Sequence, residues 1–319
     1  MSRAGRWFLR SLVVLFGVSL LSFLLAELAP GDYYAALRED PRVSPETVAA
    51  LRARYGLDRP LPVRYAAWVA SALRGEFGYS LAYNSPVGPL LRDRVYATLL
   101  LTGTATVVSW TIAIPWGVWS AARRGRWGDR LSAGAISALL TVPDLLLALA
   151  LVVLAAHSGW LPAGGMVSLK AYSQDGLERI GDVALHLVVP VTVLVLGALP
   201  VLVRHVRASM LEAMGSTFAL SARSHGIPRR RLLLGHLLPV AANPLISLAG
   251  FSFGALLSAS LLVENVTGWP GLGPLFLEAI LARDFPLVQA VVMLSTVFLI
   301  CGNLLADALL YANDPRIRT

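Results

Sequence analysis

One cysteine in 319 residues, Cys301, leaves no partner for an intrachain disulfide and no thiolate cluster for a metal. Lysine is as scarce, with Lys170 alone. A Walker A loop carries Lys directly after its second glycine, and no glycine near Lys170 precedes it in that way. Such a loop, and ATP binding through it, are excluded. The five histidines, at 157, 186, 205, 225 and 236, lack metal-ligand spacing such as a pair four apart beside a carboxylate. Charge is thin as well: 14% of residues are charged against 56% hydrophobic, with mean hydropathy +0.66. That composition is far from a soluble domain. The formal charge of +8 does not indicate nucleic-acid binding, because the arginines gather at the ends of apolar runs, where membrane topology uses them. There is no internal repeat and no low-complexity tract.

What the chain has is apolar runs long enough to cross a bilayer, which takes about 20 residues per helix. Arg3, Arg6 and Arg10 precede the uncharged run from Ser11 to Ala26; lacking a small-x-small cleavage site, it reads as a retained first helix over 8–29, ending at Pro30-Gly31-Asp32. Residues 30–94 form the one sizeable hydrophilic segment, an extracytoplasmic helical cap. In it Ser44-Pro45-Glu46 opens a helix that Gly56 ends, and an amphipathic stretch from Val63 to Leu73 carries Tyr65 and Trp68 and stops at Gly75. The second run is Val95 to Ala122, bent by Pro115. The third, Leu131 to Ala156, is interrupted at its middle by Pro143-Asp144. The fourth is Val183 to Val203, the fifth Leu238 to Val263 and the sixth Phe285 to Tyr311, with 312–319 as a tail. His157 to Asp182 and Glu264 to Asp284 are external loops between them. Trp7 and Trp160, near run ends, read as interfacial anchors.

Orientation follows from counting. The inside segments carry Arg3, Arg6 and Arg10; Arg123, Arg124, Arg126 and Arg130; Arg204, Arg207, Arg223 and Arg229 to Arg231; and Arg316 and Arg318. Against them stand only Asp129, Glu212 and Asp314. The two short outside loops reverse the balance, with Lys170, Arg179 and Arg283 against six acids. The positive-inside bias therefore predicts six helices with both termini cytoplasmic: an all-α polytopic membrane protein.

Between the fourth and fifth runs, 209–243 reads SMLEAMGSTFALSARSHGIPRRRLLLGHLLPVAAN. Phe218, Ser221, Ala222 and His225 fall at helical spacings. Gly226 supplies a position where positive φ costs little, and Pro228 suits the first turn of a second helix. Two short helices meeting at a sharp cytoplasmic corner are predicted, a stiff lever for a partner to push. The spacing resembles the EAA loop of binding-protein-dependent ABC transporter permeases: Glu-Ala-Ala, three residues, Gly, nine residues, then Ile-x-Leu-Pro. Ser221 and Ala222 stand at the two Ala positions, Gly226 at the Gly and Leu238-Pro239 at the Leu-Pro, while Leu220 replaces the Glu and His236 the Ile. The resemblance makes 209–240, with Arg223, His225, Ile227 and Pro228, the loop that couples to an ATPase.

The likeness runs from about residue 3 to 318 and is to the dipeptide/oligopeptide/nickel branch of those permeases. It is carried by Leu28-Ala29-Pro30-Gly31-Asp32, by Tyr55-Gly56-Leu57-Asp58-Arg59-Pro60 and by Leu73-Arg74-Gly75-Glu76-Phe77-Gly78. Ala97-Thr98-Leu99, Trp160-Leu161-Pro162, the external-loop run Trp269-Pro270-Gly271-Leu272-Gly273, and Asp307, Tyr311 and Asp314-Pro315-Arg316-Ile317-Arg318 follow in order. It departs at Tyr33, where that branch usually has Pro. The resemblance implies a type I ABC importer transmembrane fold, with 95–311 as a five-helix core, in a bacterial or archaeal cytoplasmic membrane. It implies a second permease subunit, one or two P-loop ATPase subunits that bind ATP and Mg, and an extracytoplasmic binding protein. This chain itself would need no cofactor. The implied substrate is a short peptide, with nickel chelates, glutathione and oligosaccharides as alternatives within similar permeases.

Intramembrane polar groups are the other candidates. A lipid-facing carboxylate at mid-helix costs about 3 kcal/mol on insertion scales, so Asp144 is expected to face a cavity or a partner. It reads either as a pathway residue or as an acid bonded to a neighbouring Ser or Thr. Asn303 and Asp307, four apart on the sixth helix, read either as a contact with a neighbouring helix or second subunit, or as pathway residues. A stand-alone secondary transporter would want matched broken helices or an inverted repeat, and Pro143-Asp144 has no counterpart. An intramembrane enzyme would want a Ser/His pair, paired aspartates or HExxH, none of which is present.

Overall fold

The computed structural model describes residues 3–28, 58–169 and 176–313, together with Ser44, Glu46 and Ala50. Pro30-Gly31-Asp32, most of the stretch from Ser44 to Gly56, Lys170 and the tail with Arg316 and Arg318 lie outside the described residues. In chain order the elements are α1 (Arg3–Leu28), α2 (Leu61–Ala72), β1 (Tyr79–Ser80), β2 (Ser85–Pro86), α3 (Val87–Ala122), α4 (Trp127–Thr141), α5 (Asp144–Ser158), α6 (Leu177–Met214), α7 (Thr217–Ser224), α8 (Arg229–Thr267), α9 (Leu272–Leu281) and α10 (Phe285–Asn313). Among the described residues, α1, α3, α6, α8 and α10 are long and apolar enough to span a membrane. The pair α4 and α5 makes a sixth span if counted as one.

The spans run longer than their uncharged cores. α3 begins at Val87, not Val95, because Val87 and Leu91, one turn apart, are buried although Arg92, Asp93 and Arg94 interrupt the apolar run. α6 takes in 177–182 of the expected external loop and 209–214 of the expected elbow stretch. The third run is not one helix: it turns through 93° between Thr141 and Asp144. Val142 is extended (φ −91°, ψ 116°), as a residue before proline prefers, and Pro143 caps the new helix. Asp144 therefore stands in the first turn of α5, not at mid-helix.

Two compact units are distinguished, 1–96 with 271–300, and 97–270 with 301–319. In the first, α2 packs its aromatic face on α1. Tyr65 meets Phe16 and Phe23 edge-on, Trp68 stacks with Tyr65, and Tyr65 Oη lies 2.7 Å from Ser19 Oγ. α2 thus lies along the first span. The hairpin β1–β2 is held by Asp284, which is fully buried: Oδ2 accepts from Ser80 Oγ at 2.5 Å and from the Ala82 N–H at 3.1 Å. Oδ1 accepts from the Leu287 N–H at 3.3 Å, capping α10. Tyr83 of the hairpin donates to Glu278 on α9; burial and that bond push its pKa up to about 12, so it stays a donor at physiological pH.

In the second unit α3, α5, α6 and α8 share an apolar core that includes Leu101, Leu194, Leu202, Val203, Leu256 and Trp269. Indole N–H groups tie its elements together: Trp110 donates to Ser252 Oγ at 3.1 Å, Trp116 to Ser132 Oγ at 2.8 Å, and Trp269 to the Ala97 carbonyl at 2.9 Å. The stretch after the fifth span is not an exposed loop. α8 continues to Thr267, Trp269 and Leu272 are fully buried, and α9 follows.

At the arginine-rich end, Asp129 gathers three elements. Arg207 Nε and Nη2 on α6 donate to its two carboxylate oxygens at 2.8 and 2.9 Å; Ser120 Oγ at the end of α3 donates at 2.8 Å and the Gly125 N–H at 2.9 Å. The paired fork of an Arg–carboxylate contact is the strong kind. Close by, α3 and α6 cross so tightly that a Cβ on Gly117 would lie 2.6 Å from Val206 Cβ. Since Asp129 is buried and Arg207 one-third exposed, a double-mutant cycle of Asp129→Ala and Arg207→Ala, read by thermal unfolding in detergent, is expected to give a coupling of about 1–3 kcal/mol. Asp129→Ala alone is expected to loosen α4 from α6, seen as faster proteolysis after Arg126 or Arg130.

Candidate functional site

The elbow is built by ordinary capping chemistry. Ser216 ends α6's exit turn and caps α7, its Oγ accepting from the Ala219 N–H at 3.2 Å. α7 closes in a Schellman turn: the Ile227 N–H donates to the Ala222 carbonyl at 3.3 Å, and the Gly226 N–H to Arg223 at 3.0 Å. Gly226 sits at φ +74°, the left-handed conformation that this turn requires and glycine adopts without strain. Ile227 tucks beneath and packs with buried Ala219, Ala222, Leu232 and Leu237 on a small apolar cluster that also holds Val118, Val206 and Met210. Pro228, at φ −60° and ψ 139°, occupies the N-cap of the next helix, one place before the predicted first turn.

The second arm differs from expectation in a useful way. It is not a separate short helix but the root of the fifth span, since Arg229–Thr267 is continuous. Within it Leu232–Leu237 is wound as a π-helix, and the Leu238 N–H donates to Leu233, five residues back. Proline at 239 has no N–H to give and crowds the carbonyl four residues earlier, and a widened turn just before it accommodates both. Leu238-Pro239 thus marks where the wide turn gives way to regular α-helix.

The face the elbow offers is mixed. Ser221, Arg223, His225 and Gly226 are exposed, with Phe218 and Leu220 exposed beside them at 49% and 69%. Phe218 also meets His236 ring to edge at 6.4 Å, linking the two arms. Between the arms lies a groove of about 440 Å³ lined by Met214, Arg223, Ile227, Arg229 and leucines of α8. Arg229 donates to the carbonyl of Ala122 at the end of α3, so the elbow stands at the same end as Asp129 and Arg207.

The other candidates separate. Asp144 is exposed and lines a cavity of about 230 Å³ between α6 and α8, and among the described residues no Ser or Thr hydrogen-bonds it. Asn303 lies against α8, since a Cβ on Gly250 would be 3.1 Å from Asn303 Oδ1 and 2.7 Å from Ala306. Gly302 likewise abuts Phe253 at 2.7 Å for an added Cβ. Asn303 therefore marks a tight crossing of α8 and α10, and Asp307 follows one turn later, half-buried. Of Trp269, Pro270, Gly271, Leu272 and Gly273, all but Pro270 are buried; the Trp269 N–H donates to the Glu264 carbonyl at 2.9 Å and its ring belongs to the core cluster with Ala97 and Leu101. The Asp129–Arg207 clamp and Asp284 carry no sequence signal beyond a lone acid flanking an apolar run. Among the described residues, no group of three or more His, Cys, Asp or Glu is placed to hold a metal.

Residues 113–319 match the family described as binding-protein-dependent transport system inner membrane component, and residues 5–102 match the N-terminal membrane component of the same systems. The chain is similar to the oligopeptide transport system permease protein AppB of Bacillus subtilis, 34% identical over 97% of this chain and 96% of that one. It is similar to the dipeptide transport system permease protein DppB of Escherichia coli K12, at 32% over 95% and 94%, and to the glutathione transport system permease protein GsiC of Shigella boydii, at 32% over 95% and 94%. Its fold is like that of a chain of the MetNI methionine ABC transporter in inward-facing conformations, with TM-score 0.55 and 18% identity, covering 70% of this chain and 96% of that one. The spans, the elbow and these matches agree: the chain belongs to the family of binding-protein-dependent transport system inner membrane components, and is a permease subunit of an ABC importer rather than an enzyme.

Proposed function

We propose that this chain is one of two membrane subunits that together form a path for short peptides. An extracytoplasmic binding protein delivers the substrate, and separate ATPase subunits, which bind ATP and Mg, push on the elbow. The observation that carries the reading is the continuity of that elbow with α8. Force applied to the exposed face of α7 is passed through a closed Schellman turn into one unbroken helix of 39 residues. Such an arrangement suits rocking between inward- and outward-facing states biased by nucleotide. The groove between the arms, apolar at its floor and bordered by Arg223 and Arg229, has the form that takes an amphipathic helix of a partner.

The peptide assignment is supported by the names of relatives that match nearly the whole chain, oligopeptide and dipeptide permeases among them. Glutathione is a second reading, favoured by one relative of similar identity; no observation favours nickel or an oligosaccharide. A stand-alone secondary transporter is disfavoured because the corner before Asp144 is the one bent helix pair among the described residues.

Copurification tests the assembly. Tagged chain extracted in mild detergent is expected to bring a homologous permease and P-loop ATPases, and the reconstituted complex with its receptor is expected to take up labelled dipeptide only with ATP. Uptake by this chain alone in liposomes would overturn the reading. At the elbow, Gly226→Val places a β-branched residue at φ +74°, a strain of about 1–3 kcal/mol. Uptake and substrate-stimulated ATP hydrolysis are expected to fall together while the chain still inserts, measured as transport rate per copy of membrane-inserted protein.

A further inference from the structure

We propose that the groove around Asp144 is a cation-selective stretch of the translocation path, in which Asp144 receives the ammonium group of the substrate. The proposal rests on the importer reading above and names the chemistry of its path.

The groove has walls from α6, with Leu194, Gly197 and Val201, and from α8, with Leu248, Phe251 and Ala255. Every other lining side chain is uncharged, and Ser252, the one other polar group there, is already engaged: it accepts from the Trp110 indole and donates to the Ala249 carbonyl. Asp144 is thus a lone negative group on an apolar surface, set within the third apolar run. Hydrocarbon is a costly neighbour for a carboxylate, so this face belongs against water or a counter-charge. Low-dielectric walls focus the field of one charge and raise the local concentration of its opposite.

The acid is placed, not merely present. It opens α5 directly after the 93° corner, in the favourable field of the first-turn amides. Its carboxylate lies against the α6 backbone at Gly197, where a Cβ would stand 2.6 Å from Oδ1 and 3.2 Å from Cγ. Any side chain at 197 would push the acid aside. A ligand that fits has one positive group for Asp144 and an apolar part for Leu248 and Phe251, with no hydrogen-bonding detail to satisfy. A peptide with a free ammonium group and variable side chains meets that description, and uniform apolar walls tolerate variety.

Cys301 is the sole cysteine and lies outside the groove, so Cys301→Ser provides a thiol-free background for the assembled complex in proteoliposomes. Ala255→Cys and, separately, Val201→Cys place a reporter thiol on exposed lining positions. Each is reacted with a cationic (trimethylammonium-ethyl) and an anionic (sulfonato-ethyl) methanethiosulfonate. Both reagents are expected to react, and adding Asp144→Asn is expected to lower the cation-to-anion rate ratio by about tenfold. The same substitution is expected to reduce uptake of a dipeptide with a free ammonium group at saturating receptor, with receptor affinity unchanged, and to abolish the preference for it over the N-acetylated dipeptide. Reporters inert to both reagents would mean lipid or a partner helix covers the groove, and would overturn the proposal; so would a rate ratio indifferent to Asp144→Asn. A complex that fails to take up any peptide would sink the importer reading instead, while the thiol rates would still judge the groove.

Discussion

Hydrocarbon offers no hydrogen-bond partner, so a backbone inside a membrane protein must satisfy itself locally or be covered by protein. Among the described residues, four departures from regular helix near an apolar run are closed in a recognisable way. At the elbow, the Schellman turn returns the Gly226 and Ile227 amides to Arg223 and Ala222. At the root of α8, the π turn hands the Leu238 amide to Leu233. At the corner, Val142 donates to Leu139 and Leu147 to Pro143. After α8, the Trp269 amide returns to Glu264 and its indole reaches Ala97. The candidate coupling residues and Asp144 sit at these places, whereas Asn303 and Asp307 lie within α10.

That constraint explains what the sequence makes legible. Apolar runs show through because the bilayer demands them, and their number and orientation could be read from hydropathy and arginine placement. The glycine corner of the elbow could be read as well, since Gly226 and Pro228 punctuate locally, but the second arm could not: it is the root of α8 and not a short helix of its own. Helix ends were less visible. Val87 to Arg94 and Leu177 to Asp182 carry charges that end an apolar run without ending the helix, because burial of one side, as at Val87 and Leu91, is enough to continue it. Pro143 announced an interruption but not a 93° turn, since a proline can kink a helix or stop it, and packing chooses between the two. Trp269-Pro270-Gly271 has the composition of a surface loop, and only the fold reveals that the tryptophan is fully buried.

Polar residues divide the same way. Asp129 looked like one acid diluting a basic loop, yet it accepts four hydrogen bonds from three parts of the chain. Nothing in a one-dimensional reading joins it to Arg207, 78 positions away. Asn303 lies at a crossing where Gly250 and Gly302 are the small residues that let α8 and α10 approach. The small partner, not the polar residue, carried the missing information.

The elbow and the Asp144 groove share one helix, and this gives the proposed coupling a geometric scale. From Arg229 at the elbow to Ala255 in the groove wall, helix rise amounts to about 39 Å at about 1.5 Å per residue. A rigid tilt of about 5° at the elbow therefore moves the groove wall by about 3 Å, comparable to the width of a water molecule. Whether the tilt reaches the groove undiminished depends on the π turn at Leu232–Leu237, the one segment of α8 with different winding. Leu232 and Leu237 at its two ends are buried in the cluster with Val206 and Met210, so α8 is clamped to α6 on either side of the widened turn. A tilt then carries α6 and α8 together, and with them both walls of the groove. In the proposed rocking, relative motion against Asp144 would fall instead at the corner of α4 and α5, since the opposite end of α4 is fixed by Asp129 to Arg207 on α6.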